Sequence, residues 1–314
     1  MGERRRYFGI YPVLYAFWTR EGRLDHDAMR AQVEHCIAAG AHGIMVLGLV
    51  TEVHKMDVNE RLHLVETVGA MVAGRVPYAV TIGEPTVAGQ IAFARAAKAA
   101  GADWVILQPP PFKGYSEAQL IRFFGDVADA LDGLGVAVQN NPVNFDVALS
   151  VPGQVTLARQ HPNITLLKGE GYSVDIARVM EETGGHFDVF GGHGGKEFPA
   201  LMRSGGAGLI PAPDCLPVQV RMFELFREGS EAALAEAERL HREILPLIVY
   251  MTHAVPTMLA YGKRLFAAKI GLPEPIDRGP AALPTAFGLA ENERHLQALL
   301  RLEEDIRSAR RAAA

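Results

Sequence analysis

Ile164-Thr165-Leu166-Leu167-Lys168-Gly169-Glu170 reads as a short apolar strand that ends in an amine and a carboxylate. Its length and continuous apolarity suit a strand buried on both faces, as in a parallel sheet. Side chains alternate along a strand, so Ile164, Leu166, Lys168 and Glu170 share one face. That face runs apolar, apolar, amine, carboxylate toward the C-terminal edge, where parallel α/β folds carry their chemistry. A lysine desolvated there loses proton affinity and becomes a nucleophile toward carbonyls. The plainer alternative is a lysine reaching solvent from a strand end.

Outward from this stretch the pattern repeats. Apolar runs at Gly9–Leu14, Gly43–Leu47, Pro77–Thr81, Trp104–Gln108, Val136–Asn140, Ile164–Lys168, Phe187–Phe190 and Gly208–Ile210 alternate with amphipathic segments. Asp25, Thr86 and Ser116 stand where helix N-caps belong. About eight such units predict an α/β fold, a (β/α)8 TIM barrel. An open doubly wound sheet fits less well, because no Gly-rich phosphate turn follows the first strand. Beyond Ile210 the chain reads as helices over Leu216–Glu228, Ser230–Tyr250 and Thr257–Ile270, then a Pro-rich link and a last helix from about Glu291 to Arg310. The expected division is a barrel over 1–228 and an appended C-terminal helical layer over 229–314.

The chain's 314 residues suit one such barrel with an appendage. A formal net charge of −5 gives no electrostatic reason to expect nucleic acid or an anionic membrane as partner. Cys36 and Cys215 are far apart and lack metal-type spacing, which fits packed thiols in a reducing compartment. The opening residues lack the apolar core of a secretory signal, and no run reaches the ~18 apolar residues of a membrane span. A cytoplasmic protein is expected.

The strand ends are specific. The second leads into Gly48-Leu49-Val50-Thr51-Glu52, the fifth ends Gln139-Asn140-Asn141-Pro142, and the sixth ends Leu167-Lys168-Gly169. This layout resembles the dihydrodipicolinate synthase / N-acetylneuraminate lyase family of Schiff-base aldolases and lyases. That family carries Gly-Thr-Thr-Gly-Glu, Tyr-Asn-x-Pro and its imine-forming lysine at the corresponding places. The resemblance covers nearly the whole chain and implies Lys168 as the imine-forming residue. It also implies a homo-oligomer, dimer or tetramer, and no cofactor.

The departures bear on the chemistry. The family's proton-shuttling tyrosine is Gln139 here, and an amide cannot transfer a proton near neutral pH. Its partner threonine is Leu49 or Val50, its second tyrosine falls at Pro111 or Phe112, and an arginine of the synthases falls at Asn144. Dihydrodipicolinate synthesis itself is therefore not expected. The turn over Gly48, Leu49, Val50 and Thr51 can still offer N–H groups to a keto-acid carboxylate. Gln139 and Asn140 are expected on the opposite wall, and Ile210 closes the substrate site at the eighth strand.

Glu170, on the same face as Lys168, is the first replacement for the missing acid/base, with a strand-end salt bridge as the alternative. His193 reads either as a general acid at the barrel mouth or as a mobile loop side chain. His54 is similar, and Glu52, His54 and His193 lack metal-ligand spacing, so no metal site is expected. Tyr115 reads as a loop residue, and Trp18 and Trp104 as packing.

Two functions follow. One is a class I lyase or aldolase acting through Lys168 on pyruvate or a related 2-oxo acid, with an aldehyde as partner. Apolar Leu49, Val50, Pro111 and Phe112 at the mouth, and Asn141-Pro142-Val143-Asn144-Phe145, which resembles a segment of the hydratase-aldolases, point to an apolar or aromatic acceptor. The other is a non-catalytic 2-oxo-acid-binding or regulatory protein on a barrel that lacks the family's proton relay.

Overall fold

The structure is a computed structural model and describes residues 5–313. Eight parallel strands follow one another around a single sheet: β1 (Gly9–Ile10), β2 (Ile44–Val46), β3 (Tyr78–Ile82), β4 (Trp104–Leu107), β5 (Gly135–Asn140), β6 (Ile164–Gly169), β7 (Asp188–Gly191) and β8 (Gly208–Leu209). β1 pairs with β8, and a parallel bridge between Val13 and Met45 joins the segment after β1 to β2. The sheet curls into a (β/α)8 barrel. The first run is extended through Leu14 as read from sequence, but only Gly9–Ile10 forms a regular ladder.

Between strands lie α1 (His26–Ala38), α2 (Val58–Val72), α3 (Val87–Ala99), α4 (Glu117–Ala128), α5 (Val151–Gln160), α6 (Ser173–Glu182), α7 (Phe198–Arg203) and α8 (Leu216–Glu228). Asp25, Thr86 and Ser116 each accept a hydrogen bond from a first-turn N–H, of Ala28, Gly89 and Gln119. Each cap satisfies a donor that the helix geometry leaves without an intrahelical partner.

The strand interiors fill the barrel with side chains. Below Lys168, Tyr11, Trp104 and Phe190 meet as a ring cluster with centroids 5.3–5.5 Å apart. These rings fill the barrel interior, and in such barrels the chemistry sits at the C-terminal ends of the strands. Cys36 and Cys215 are buried free thiols.

After α8 come α9 (Glu231–Met251), a short α10 (Val255–Thr257), a π-helical stretch (Met258–Gly262), α11 (Lys263–Lys269) and α12 (Ala286–Ala313). The sequence reading of one helix over Thr257–Ile270 misses the π turn. That of the last helix starts five residues late, since Ala286–Ala290, exposed apart from Gly288, carry no amphipathic period. Among the described residues no single helix is long and apolar enough to cross a membrane.

Candidate active site

Lys168 is the penultimate residue of β6 and lies in register with Gln139 of β5 and Phe190 of β7. Its side chain points into the barrel, and the residue is 7 % exposed. The barrel mouth holds a cavity of about 380 Å³ whose walls include Lys168, Glu170, Leu49, Val50, His193 and Ile210.

Glu170 stands beside the lysine, with Oε2 at 3.6 Å from Lys168 Nζ. Gln139 Nε2 donates to the same Oε2, and Asn141 Nδ2 does so at 3.0 Å. Oε1 has no hydrogen-bond donor among the described residues. Burial pushes the carboxyl's pKa up, but the Lys168 ammonium, His193 and the two amide donors outweigh it and leave the group below its ordinary value. Glu170 is thus held as a carboxylate, anchored by one oxygen with the other free.

The orientation of Gln139 is itself fixed. Gln108, one residue past β4, donates from Nε2 to Gln139 Oε1 at 3.0 Å, which leaves the Gln139 amide nitrogen to face Glu170. Three adjacent strand ends therefore carry one directional chain, from Gln108 through Gln139 to Glu170. Gly192 makes room for its end: a Cβ there would lie 2.1 Å from Glu170 Oε1.

His193 follows in the left-handed region, at φ 51°, and lines the same cavity. Its Nε2 lies 3.2 Å from Asn144 Nδ2, and Asn144 Nδ2 also reaches Asn141 Oδ1 at 3.3 Å. With Asn144 as donor, Nε2 accepts and the ring proton sits on Nδ1. Burial lowers the His193 pKa further than neighbouring Glu170 raises it, and the imidazole is neutral near pH 7.

The segment after β2 forms two 3₁₀ turns, Leu49–Thr51 and Val53–Lys55. Its Thr51 N–H donates to Gly48 O at 3.0 Å, while the N–H groups of Leu49 and Val50 have no backbone acceptor among the described residues. Gly48, Leu49, Val50 and Ile210 line the cavity. Two sequence-predicted contacts are corrected. Thr51 is fully buried, with its hydroxyl committed to Leu14 O at 2.7 Å. Asn140 points away from the barrel, exchanging hydrogen bonds with Leu149 N and O at 2.8 and 2.9 Å. Adjacent strand residues face opposite sides, so Gln139 and Asn140 cannot share a wall.

The rest of the mouth also differs from the sequence reading. Pro111 and Phe112 are exposed and outside the cavity; Val143, Tyr172, Val255 and Met258 supply its apolar lining instead. Tyr115 is exposed as well. Glu52 turns away to a buried cluster with Lys263, Lys55 and Trp18 Nε1, and exposed His54 lines a different cavity. Glu52 and His54 line that second cavity and His193 the mouth, and the described residues contain no group of three metal-ligating side chains.

Gln108 and Asn141 were legible in principle, as polar residues two positions beyond Ile106 and Gln139 on the same strand faces. Thr252–Met258 left no signal, because only the packing of α9 and α10 brings them over the mouth.

The fold is thus a parallel (β/α)8 barrel with a buried lysine at the C-terminal edge of its sixth strand. A family model described as the dihydrodipicolinate synthetase family matches residues 6–280. The 4-hydroxy-tetrahydrodipicolinate synthase of Pelobacter propionicus is 31 % identical over 247 residues, spanning 77 % of this chain and 83 % of that one. A probable 2-dehydro-3-deoxy-D-pentonate aldolase of Escherichia coli, YjhH, is 27 % identical over 77 % of this chain and 81 % of its own. The crystal structure of YagE from the same organism, in complex with pyruvate, superposes with a TM-score of 0.83 at 27 % identity, covering 93 % of this chain and 98 % of YagE. The chain belongs to the dihydrodipicolinate synthetase family, whose members are pyruvate-dependent aldolases and lyases.

Proposed function

We propose that this protein is a carbon–carbon lyase or aldolase that captures pyruvate or a related 2-oxo acid as an imine on Lys168. The observation that carries the reading is a buried amine paired with a buried carboxylate at the mouth of the barrel. Lys168 adds to the C2 carbonyl to give a carbinolamine, which expels water to leave an iminium. In the cleavage direction a base takes the proton of the C4 hydroxyl and the C3–C4 bond breaks. Its electron pair then passes into the iminium, giving an enamine and an aldehyde. Protonation at C3 and hydrolysis return pyruvate and the free amine.

Glu170 suits the charge changes of this sequence. The ammonium and the iminium both carry one positive charge, so the carboxylate stays paired before and after capture. Its free Oε1 accepts and returns protons at the carbinolamine. The free N–H groups of Leu49 and Val50 bind the substrate carboxylate. Gln139 in place of a phenol speaks against dihydrodipicolinate synthesis, and Leu49, Val50, Val143 and Met258 favour an acceptor with an apolar body.

The test is reduction with borohydride in the presence of pyruvate, followed by mass mapping. A stable increment on Lys168, together with release of pyruvate from an aldol substrate, supports the reading. An increment with no turnover of any aldol substrate makes the protein a 2-oxo-acid binder. Absence of any increment removes both.

A further inference from the structure

We infer that Lys196 docks a second carboxylate at the far end of the 2-oxo acid held by Lys168, so that 2-oxo diacids with an apolar middle are the favoured substrates. The inference rests on the imine reading above and adds to it the chemistry of the distal end.

Lys196 is half-buried and lines the mouth cavity together with Lys168, Glu170 and His193. Its ammonium has no carboxylate within ion-pair distance and no hydrogen-bond acceptor among the described residues. The acid next to it in sequence is committed elsewhere. Glu197 accepts from Ser173 Oγ at 3.0 Å and from Ser173 N at 3.3 Å, at the start of α6. Lys196 also acts on the nearby imidazole, disfavouring protonation of His193. A partly desolvated cation with no anion of its own gains most from one supplied by a ligand.

Val143, Tyr172 and Met258 give this cavity an apolar lining beside its charged groups. A ligand that fits has an anionic 2-oxo acid head, a hydrocarbon middle and an anionic tail. Glu170 and Glu197 near the path would repel a phosphate dianion more than a carboxylate monoanion, and Lys196 lacks the bidentate fork suited to phosphate. The tail is therefore a carboxylate.

The experiment compares imine trapping by borohydride across matched pairs, 2-oxopentanoate with 2-oxoglutarate and 2-oxohexanoate with 2-oxoadipate. In the wild type the half-saturating concentration of at least one diacid is expected about tenfold below that of its monoacid. Lys196→Gln brings the ratio to about one, and Lys196→Arg keeps most of it. Equal capture of diacid and monoacid at both lengths, or a preference that survives in Lys196→Gln, overturns the inference.

Thermal shift on Lys168→Ala separates this from failure of the imine reading. A shift with diacid but not monoacid, lost when Lys196→Gln is added, supports the Lys196 contact without any imine. No shift with either diacid overturns it. Pyruvate labelling of the wild type reports on Lys168 independently.

Discussion

The amine of Lys168 and the carboxylate of Glu170 lie 3.6 Å apart with both side chains more than nine-tenths buried, and the pair's remaining polar contacts converge on one carboxylate oxygen. That asymmetry leaves the other oxygen available. Glu170→Gln is expected to lower kcat by about 10²–10⁴ while an imine with pyruvate still forms, the usual scale for loss of an acid/base group. Rates and borohydride trapping measured on one preparation check this. Unchanged kcat removes Glu170 from the proton transfers.

Gln108 acts on Glu170 only through Gln139. A Gln108→Glu change presents an acceptor to Gln139, turning its amide so that the oxygen faces Glu170 and the Glu170 pKa rises. The groups facing Glu170 are Lys168, His193, Gln139 and Asn141. The acid limb of kcat is expected to move upward in pH in Gln108→Glu and less in Gln108→Leu, which keeps the fold but frees the amide. A pH–rate profile that does not move in either variant shows that the amide chain carries no orientation.

Gly192 should not tolerate a methyl group. Its backbone is not in the left-handed region, so alanine strains no dihedral; the added Cβ meets Glu170 Oε1 instead. Gly192→Ala is expected to lower kcat tenfold or more, roughly a 1.4 kcal/mol effect, with little change in midpoint of denaturation. Wild-type kcat would place the carboxylate elsewhere during turnover.

Asp214 bears on stability rather than chemistry. It is buried beneath the mouth, accepts from Tyr15 OH at 3.0 Å, and burial raises its pKa to about 7. The unfolded chain ionises at the ordinary 3.8 while the folded chain holds the proton until about 7. The folded state thus binds more protons over that window, and stability contributed by the protonated acid is lost as pH rises through it. Asp214→Asn is expected to remove this fall, on the order of a few kcal/mol, in urea titrations at pH 4 and pH 8. The same slope in both proteins assigns it to other groups.

The Glu52 cluster predicts a large cost. Lys263 is fully buried, and Glu52 is its anion. Lys263→Met leaves Glu52 with Lys55 at 3.2 Å and Trp18. Destabilisation of about 3–5 kcal/mol is expected, because one partner of a buried pair is removed while the other stays buried. Unfolding free energies from denaturant titration that differ by less than about 0.5 kcal/mol show that Lys55 suffices.

The sequence alone determined the barrel and the lysine. Strand and helix periods are local, and eight apolar runs separated by capped amphipathic segments leave few other ways to bury them. The position of Lys168 on an inward face follows from alternation within six residues. What only the tertiary structure decided lies where two distant segments meet. Asn140 and Gln139 are neighbours in sequence, yet the pleat sends one to Leu149 and the other to Glu170. Glu52, one residue beyond the substrate turn, is claimed by Lys263 from 211 positions away. Val255 and Met258, rather than Pro111 and Phe112, cover the mouth because the C-terminal helices fold back over it. Periodicity fixes which face a residue takes, but the identity of its partner depends on the packing of the whole chain.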